Sequence, residues 1–318
     1  MISIGNWNIR GLNAPQKQKT IHDWVTKNSL DVAGLIETKV TAQKQDTTER
    51  NLCLRHWQFL NNTSSSSHGR IMVGWNSQTV QLTCIHSSPQ WMTCNMHILH
   101  NPTTTPLKLT IVYGDNTTAG REALWEYIER TSVDHSAIPW LIMGDFNAVL
   151  SPDDRQGGRQ DWCNHHNAFG NTIQEAELFQ TPYTGMRYTW HNGHAAETSI
   201  LRKLDWVFSN SAFYTSWPTA KTHFYPRNAS DHSAAVTTLT NTRQKTQYPF
   251  KFLNLWTDRE EFIPIVRKAW DNPSMGNPIQ NFAAKLKAAR KQFQDLHRRC
   301  TSHISNRVKA VALQWEAA

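Results

Sequence analysis

Short apolar stretches recur at 2–9, 31–37, 70–75, 79–85, 92–99, 107–113, 140–145, 204–208 and 234–239, each stopped by polar or turn-forming residues. Runs of that length, rich in β-branched and aromatic residues, predict strands. Helical spacing is present at 15–28, where Ile21, Trp24 and Val25 share a face, and at 120–131 and 163–177. The remaining connections read as loops, among them Ser64 to Ser67, Ser151-Pro152-Asp153-Asp154 and Gly157-Gly158. The stretches between 70 and 113 follow one another without a helical crossover. That predicts antiparallel pairing and an α/β sandwich of two sheets with outer helices, rather than a doubly wound parallel sheet.

The chain has 318 residues, 39% of them hydrophobic, with 14 Trp, 12 Phe and 7 Tyr against 18% charged. That is apolar area for a core and excludes a disordered chain. Five cysteines, Cys53, Cys84, Cys94, Cys163 and Cys300, form no C-x-x-C pair, which argues against zinc knuckles and a disulfide framework and for reduced thiols. The first residues enter a strand-like Ile2-Ser3-Ile4 directly, and no run of about 20 apolar residues occurs, so a soluble intracellular protein with no membrane partner is expected.

After about residue 241 the strand pattern gives way to a linker-like Thr-Asn-Thr-Arg-Gln-Lys-Thr-Gln and then to helical spacing. The expected division is 1–241 and 242–318. Phe282, Leu286, Ala289, Phe293, Leu296, Cys300, Ile304 and Val311 mark one apolar stripe on a long helix. Of a formal net charge of +8, residues 282–318 carry eight Lys or Arg against two acids, so the body is close to neutral. Such a tail suits polyanion binding, and it equally suits a solvated helix face.

Polar residues stand at the ends of apolar strands in five places: Asn8, Glu37, Asp145 with Asn147, Asp205, and Asp231 with His232. A carboxylate leaving a buried strand is held rigidly, which suits hard oxygen ligation of Mg²⁺, and an imidazole beside an aspartate can meet charge building on phosphorus. Taken singly, each has an ordinary reading as a turn, a cap or a backbone acceptor.

The order of Trp-Asn-Ile-Arg-Gly-Leu-Asn (7–13), Ile-Glu-Thr (36–38), Val-Tyr-Gly-Asp-Asn (112–116), Gly-Asp-Phe-Asn (144–147), Leu-Asp (204–205) and Ser-Asp-His (230–232) resembles the endonuclease/exonuclease/phosphatase superfamily across residues 2–240. Flanking phrases, Ser-Pro-Asp-Asp-Arg-Gln-Gly-Gly (151–158) and Phe-Lys-Phe-Leu-Asn-Leu-Trp (250–256), are similar to the endonuclease domain of plant LINE-type, non-LTR retrotransposons. The resemblance implies a four-layer sandwich of two mainly antiparallel sheets flanked by helices, here with a C-terminal helical extension that would precede a reverse transcriptase.

It also implies roles. Glu37, with Asn8, would hold Mg²⁺, or Mn²⁺ in its place, and Asp231 would be a metal ligand on the same side or a carboxylate on the leaving-group side. Asp145 would act as base with Asn147 as companion, Tyr113 and Asn116 would contact the scissile phosphate, and Asp205 would orient His232. Thr189 matches a threonine near the phosphate, or is a simple strand residue. A hairpin over His191-Asn192-Gly193-His194 would reach DNA through Arg202 and Lys203, or be an ordinary turn. The implied reaction is in-line hydrolysis that nicks DNA in the nucleus and leaves a 3′-hydroxyl for target-primed reverse transcription. Action on RNA or small phosphate substrates, and a catalytically decayed nucleic-acid-binding remnant, stay open as alternatives. Arg10 stands where repair nucleases carry an acid, Asp115 where many relatives have Pro, and Trp206 where Arg is frequent.

Overall fold

The first strand shows how the chain builds its layers. All seven residues of β1, Ile2–Asn8, are buried, yet successive side chains face opposite ways. Ile2 and Ile4 join one apolar cluster, whereas Trp7 joins another with Ile21, Trp24 and Val25 of helix α1, Pro15–Lys27. A strand buried on both faces must lie inside a layered structure. The computed structural model describes residues 1–66, 69–100, 106–158, 161–240, 256–257, 259–271 and 277–301. Its internal contacts divide the chain into Met1–Thr242 and Arg243–Ala318.

In chain order, the first unit continues with β2 (Val32–Ile36), α2 (Gln45–Leu52), β3 (Trp57–Asn61), β4 (Ile71–Asn76), β5 (Val80–Ser87), β6 (Trp91–Ile98) and β7 (Leu107–Tyr113). Then come α3 (Glu122–Asp134), β8 (Trp140–Asp145), β9 (Arg155–Gln156), α4 (Asn167–Glu175), β10 (Phe179–Gln180), β11 (Tyr183–Gly185), β12 (Trp190–His191) and β13 (Leu201–Arg202). The unit closes with β14 (Asp205–Ser209), α5 (Ser211–Ser216), β15 (Lys221–Phe224) and β16 (Ala235–Leu239).

One sheet has the order β11-β15-β16-β1-β2-β4-β3 and the other β10-β14-β8-β7-β6-β5, with a small third sheet β12-β13-β9. Pairing is antiparallel except for β1/β2, β7/β8 and β11/β15. The first two parallel pairs are each bridged by a helix, α1 and α3, as a parallel crossover requires. Between the sheets lies a core that includes Ile4, Ile36, Val73, Ile111, Leu141, Met143 and Val207. Outside the first sheet, α1 and Leu52 of α2 pack on Trp7 and Leu35; outside the second, Leu124, Trp125 and Ile128 of α3 and Phe169 of α4 pack on Trp140, Ile142 and Phe208. This is the expected four-layer sandwich.

Residues 70–113 pair antiparallel as expected, but in both sheets: β4 pairs with β2 and β3, and the chain then crosses to the other sheet for the β5-β6-β7 meander. Two expectations are corrected. Segment 45–52, read as loop, is a helix that buries only Thr48 and Leu52, too few apolar residues to show a period. Segments 57–61 and 221–224, also read as loops, are strands; the first, at a sheet edge, has no fully buried residue, so its alternation is weak.

In the second unit, α6 (Phe262–Trp270) packs on α7 (Pro278–Thr301). The stripe finds a partner in part: Ala289, Phe293 and Leu296 are buried with Trp256, Ile265 and Ala269, and Trp256 stacks on Phe293 with ring centroids 5.4 Å apart. Phe282 and Leu286 remain about half exposed. Ile304, Val311 and the side chain of Cys300 lie outside the described residues. Among the described residues no helix is long and apolar enough to cross a membrane.

Candidate active site

Strand alternation brings the polar residues together. Asn8 follows Ile2 and Ile4 on the inward face of β1, Tyr113 follows Leu109 and Ile111 on β7, Asp145 follows Leu141 and Met143 on β8, and Asp205 precedes Val207 on β14. All four therefore point between the two sheets, at one end of the sandwich. Register completes the match: Asp145 lies directly opposite Asp205 on one side and Tyr113 on the other. Gly144 is needed for the β7/β8 approach, because at its φ of +147° an added Cβ would stand 2.0 Å from the Val112 carbonyl oxygen.

His232 reaches this point from the chain just before β16, in a bridge to Trp190. Its Nδ1 lies 2.9 Å from Asp205 Oδ2 and its Nε2 3.6 Å from Asp145 Oδ2. Asn8 Nδ2 donates to Asp145 Oδ2 at 3.0 Å and lies 3.4 Å from His232 Nε2. Asn147 is also in place: its backbone N–H donates to Asp145 Oδ1 at 2.9 Å, and its side-chain amide donates to the Gly114 carbonyl at 2.8 Å. Burial by itself would lower the His232 pKa, but Asp205 and Asp145 hold it up, at about 9. Burial lifts the Asp145 carboxyl to about 7, opposed by His232 and assisted by Asp205. A histidine between two buried carboxylates thus keeps its proton at neutral pH.

Next to this line stands an oxygen-rich group. Glu37, at a left-handed φ of 55° just after β2, accepts from Tyr113 Oη at 2.8 Å through Oε1, while its buried Oε2 has no hydrogen-bond partner. Burial first, and then Glu37, push the Tyr113 phenol above its ordinary pKa. Asn8 Oδ1 faces the Arg10 backbone N–H at 3.2 Å. Asp231 accepts from Trp190 Nε1 at 2.8 Å and from Arg10 Nη1 at 2.5 Å. Burial would raise its carboxyl, but His232, Trp190 and Arg10 together keep it below the usual carboxylate range.

Glu37, the Asn8 amide oxygen and Asp231 are hard oxygen donors, and Glu37 Oε2, which no hydrogen bond engages, is the kind of atom a divalent cation satisfies, so the donor set fits Mg²⁺. Asp145, Asp205 and His232 form a second group close enough to hold a cation, but there the His232 nitrogen on the Asp205 side is engaged by that carboxylate. Arg10 does more than remove an acid from this position. Its guanidinium bridges Asp231 and Glu37, with Nε 3.5 Å from Glu37 Oε2, and Lys39 adds a second cation 3.7 Å from the same oxygen. Sequence reading missed that bridge, and it missed the Trp190 indole on Asp231, although Trp190 adjoins the noted Thr189.

Other expectations fall out differently. Thr189 is fully buried, and its Oγ1 accepts from the backbone N–H groups of Leu204 at 3.0 Å and Asp205 at 2.9 Å, so it anchors the start of β14. Lys203 is corrected as a DNA contact: it is 1% exposed, with Nζ 3.9 Å from the Tyr183 ring centroid and 4.5 Å from that of Phe224. A cation enclosed by rings cannot meet a duplex. Burial takes its pKa down to about 8. Arg202, one residue earlier, faces outward into a cleft with Asn116 and Asn147. The hairpin exists as β12/β13, with β9 added to it. Asp115 makes the turn without Pro, accepting from the N–H and hydroxyl of Thr117 at 2.8 Å each. Trp206 packs in the core, its Nε1 donating to the Ala148 carbonyl at 3.0 Å.

Several solved structures share this fold. The endonuclease domain of TRAS1, a telomere-specific non-LTR retrotransposon, aligns with a TM-score of 0.57 at 11% identity, over 77% of this chain and all of that one. The AP endonuclease LMAP from Leishmania major aligns with a TM-score of 0.57 at 14% identity, over 74% of this chain and 86% of that one. A mannosyl-6-phosphatase from Bacteroides thetaiotaomicron aligns at 0.53 and 11% identity, over 76% of this chain and all of that one. Comparison with curated protein sequences finds no match. At such identities the likeness is one of fold. The sequence profile described as Endonuclease/Exonuclease/phosphatase family matches residues 5–232, more than half of the chain, and with the metal-dependent phosphoester hydrolases of that family this protein belongs.

Proposed function

We propose that this protein nicks DNA, as a Mg²⁺-dependent endonuclease of a non-LTR retrotransposon of the plant LINE type, leaving a 3′-hydroxyl that primes reverse transcription in the nucleus. The observation that carries the reading is the buried line Asp145–His232–Asp205 set beside Asn8 and Glu37. In-line attack on a phosphodiester needs a base for water, a cationic partner for the oxygens that gain charge, and no nucleophile from the protein.

Asp145 takes the proton of the attacking water, with Asn147 and Asn8 holding its two oxygens. His232, kept protonated and oriented by Asp205, donates to a phosphoryl oxygen as charge builds there. Glu37, Asn8 and Asp231 would hold the cation; when bound, Mg²⁺ neutralises charge on the phosphoryl and leaving oxygens, and Mn²⁺ can serve the same donors. Tyr113 orients Glu37 through its hydroxyl. Asn116, which lines the cleft with Asn147, would contact the phosphate. DNA as substrate is supported by nucleases among the structural neighbours and by Arg202 at the cleft.

A supercoiled-plasmid assay tests the reading. Wild type is expected to convert supercoiled to open-circular DNA with Mg²⁺ or Mn²⁺, at nicks that a DNA polymerase extends, and Asp145→Ala or His232→Ala should lower the rate by at least about a hundredfold. Absence of nicking, or nicking unchanged in both variants, sinks it. Hydrolysis of RNA or small phosphomonoesters in preference to DNA would move the substrate and leave the chemistry in place.

A further inference from the structure

Arg155 and Arg202 lie directly opposite each other in the antiparallel β9/β13 pair. Like charges in that position repel, and a two-residue ladder has little other stability to offset the repulsion. Neither side chain forms an ion pair with a described carboxylate. Aromatic faces hold them instead, Arg155 5.5 Å from the Trp162 ring centroid and Arg202 5.9 Å from that of Trp190. Stacking fixes a guanidinium plane and leaves its N–H edge available to an anion.

A third arginine joins them. Arg121, just before α3, lines the same cleft, together with Asn116 and Asn147, and among the described residues no Asp or Glu lines it. Arg121 gives Nη1 to the Asp115 carbonyl and Arg155 gives Nη2 to the Asp161 carbonyl, but the buried Nε of each has no hydrogen-bond partner. Burial, and then the charge of Arg155, pull the Arg202 pKa down, as expected for a cation that lacks its counter-charge. The cleft measures about 160 Å³. That is below the roughly 300 Å³ at which drug-sized sites begin, and it suits a single phosphate with its sugar. Asn147 links it to the reacting end, because its N–H is bonded to Asp145.

We infer that Arg121, Arg155 and Arg202 form a second-phosphate subsite, which takes a backbone phosphate flanking the scissile one and so selects polynucleotides over isolated phosphate esters. The subsite rests on the reading of this protein as a nuclease, and it gives that reading a means of substrate selection. Fork-shaped guanidinium groups match phosphate oxygens bidentately, and three of them around one cleft would leave an isolated phosphate ester, with nothing to fill it, a poor ligand.

The test separates binding from turnover. Fluorescence anisotropy of a labelled 20-base-pair DNA duplex, on the full chain carrying Asp145→Asn, compares that background with the added pair Arg155→Gln/Arg202→Gln and with an equal-charge control, Lys27→Gln/Arg55→Gln, at exposed positions of α1 and the α2–β3 turn. The subsite pair should weaken binding tenfold or more and reduce the slope of log affinity against log salt by about one, with the control close to background. Equal losses in pair and control, or no loss in the pair, overturn the subsite. Plasmid nicking by wild type decides the nuclease reading separately. In an active enzyme the pair should raise KM for duplex DNA at least tenfold and leave kcat/KM for a dinucleoside monophosphate, which has no second phosphate, within twofold. An equal loss on the dinucleotide also overturns the subsite.

Discussion

Asp145 and Asp205 face each other directly across β8 and β14, and His232 reaches both, with Nδ1 2.9 Å from Asp205 and Nε2 3.6 Å from Asp145. Two carboxylates opposed in a buried sheet repel unless a positive charge lies between them. The imidazolium is that charge, so its proton is part of the fold as well as of the proposed chemistry. Its folded pKa of about 9 lies above the ordinary 6.5, so its contribution is complete below about pH 6.5 and is lost as pH rises toward 9. With metal chelated, urea unfolding of wild type against His232→Gln should show an advantage of about 2–3 kcal/mol at pH 6 that shrinks steadily to pH 9. A difference independent of pH removes this account. Adding Asp205→Asn to His232→Gln should recover part of the loss, because one repelling charge is gone.

Arg10 competes with the cation for Glu37 and Asp231. Arg10→Met should bind Mn²⁺ roughly threefold to tenfold more tightly, since a half-exposed guanidinium is displaced at modest cost. Titration followed by electron paramagnetic resonance of free Mn²⁺ reads this without turnover, and weaker binding in the variant contradicts it.

Lys203 is a buried cation among rings, with no hydrogen-bond partner at Nζ. Its folded pKa of about 8 lies below the ordinary 10.5, so between those values the unfolded chain holds a proton that the folded one has released, and stability rises with pH. Lys203→Met should therefore be more stable than wild type at pH 7 by about 1–3 kcal/mol, the gap closing between pH 8 and 10.5. DNA affinity should not change; a tenfold loss would return Lys203 to the substrate face.

Thr189 receives two buried backbone N–H groups. Thr189→Val strands both and should cost about 1–3 kcal/mol in chemical denaturation, whereas Thr189→Ser keeps the acceptor and should cost less than about 1 kcal/mol. Any loss of activity should appear in kcat through displacement of Asp205. A rise in KM alone would mark Thr189 as a substrate contact.

The amino-acid sequence by itself determined the layers and which strand ends carry polar side chains. Apolar strands capped by Asn8, Glu37, Asp145, Asp205 and Asp231-His232 are legible because strand alternation and strand ends are local properties, and their order carried the family. It could not show which way neighbouring side chains turn: Arg202 faces the cleft and Lys203 the core, one residue apart, because alternation gives opposite faces without saying which is inside. Nor could it show that the strand before β5 belongs to the other sheet, that Thr189 is consumed by backbone amides, or that Arg10 closes on Asp231, 221 positions away. Those facts depend on contacts between distant segments. Pairing of β9 with β13 in the small third sheet set the Arg155–Arg202 pair, and the packing of the two large sheets brought His232 to the Asp145–Asp205 pair at working distance.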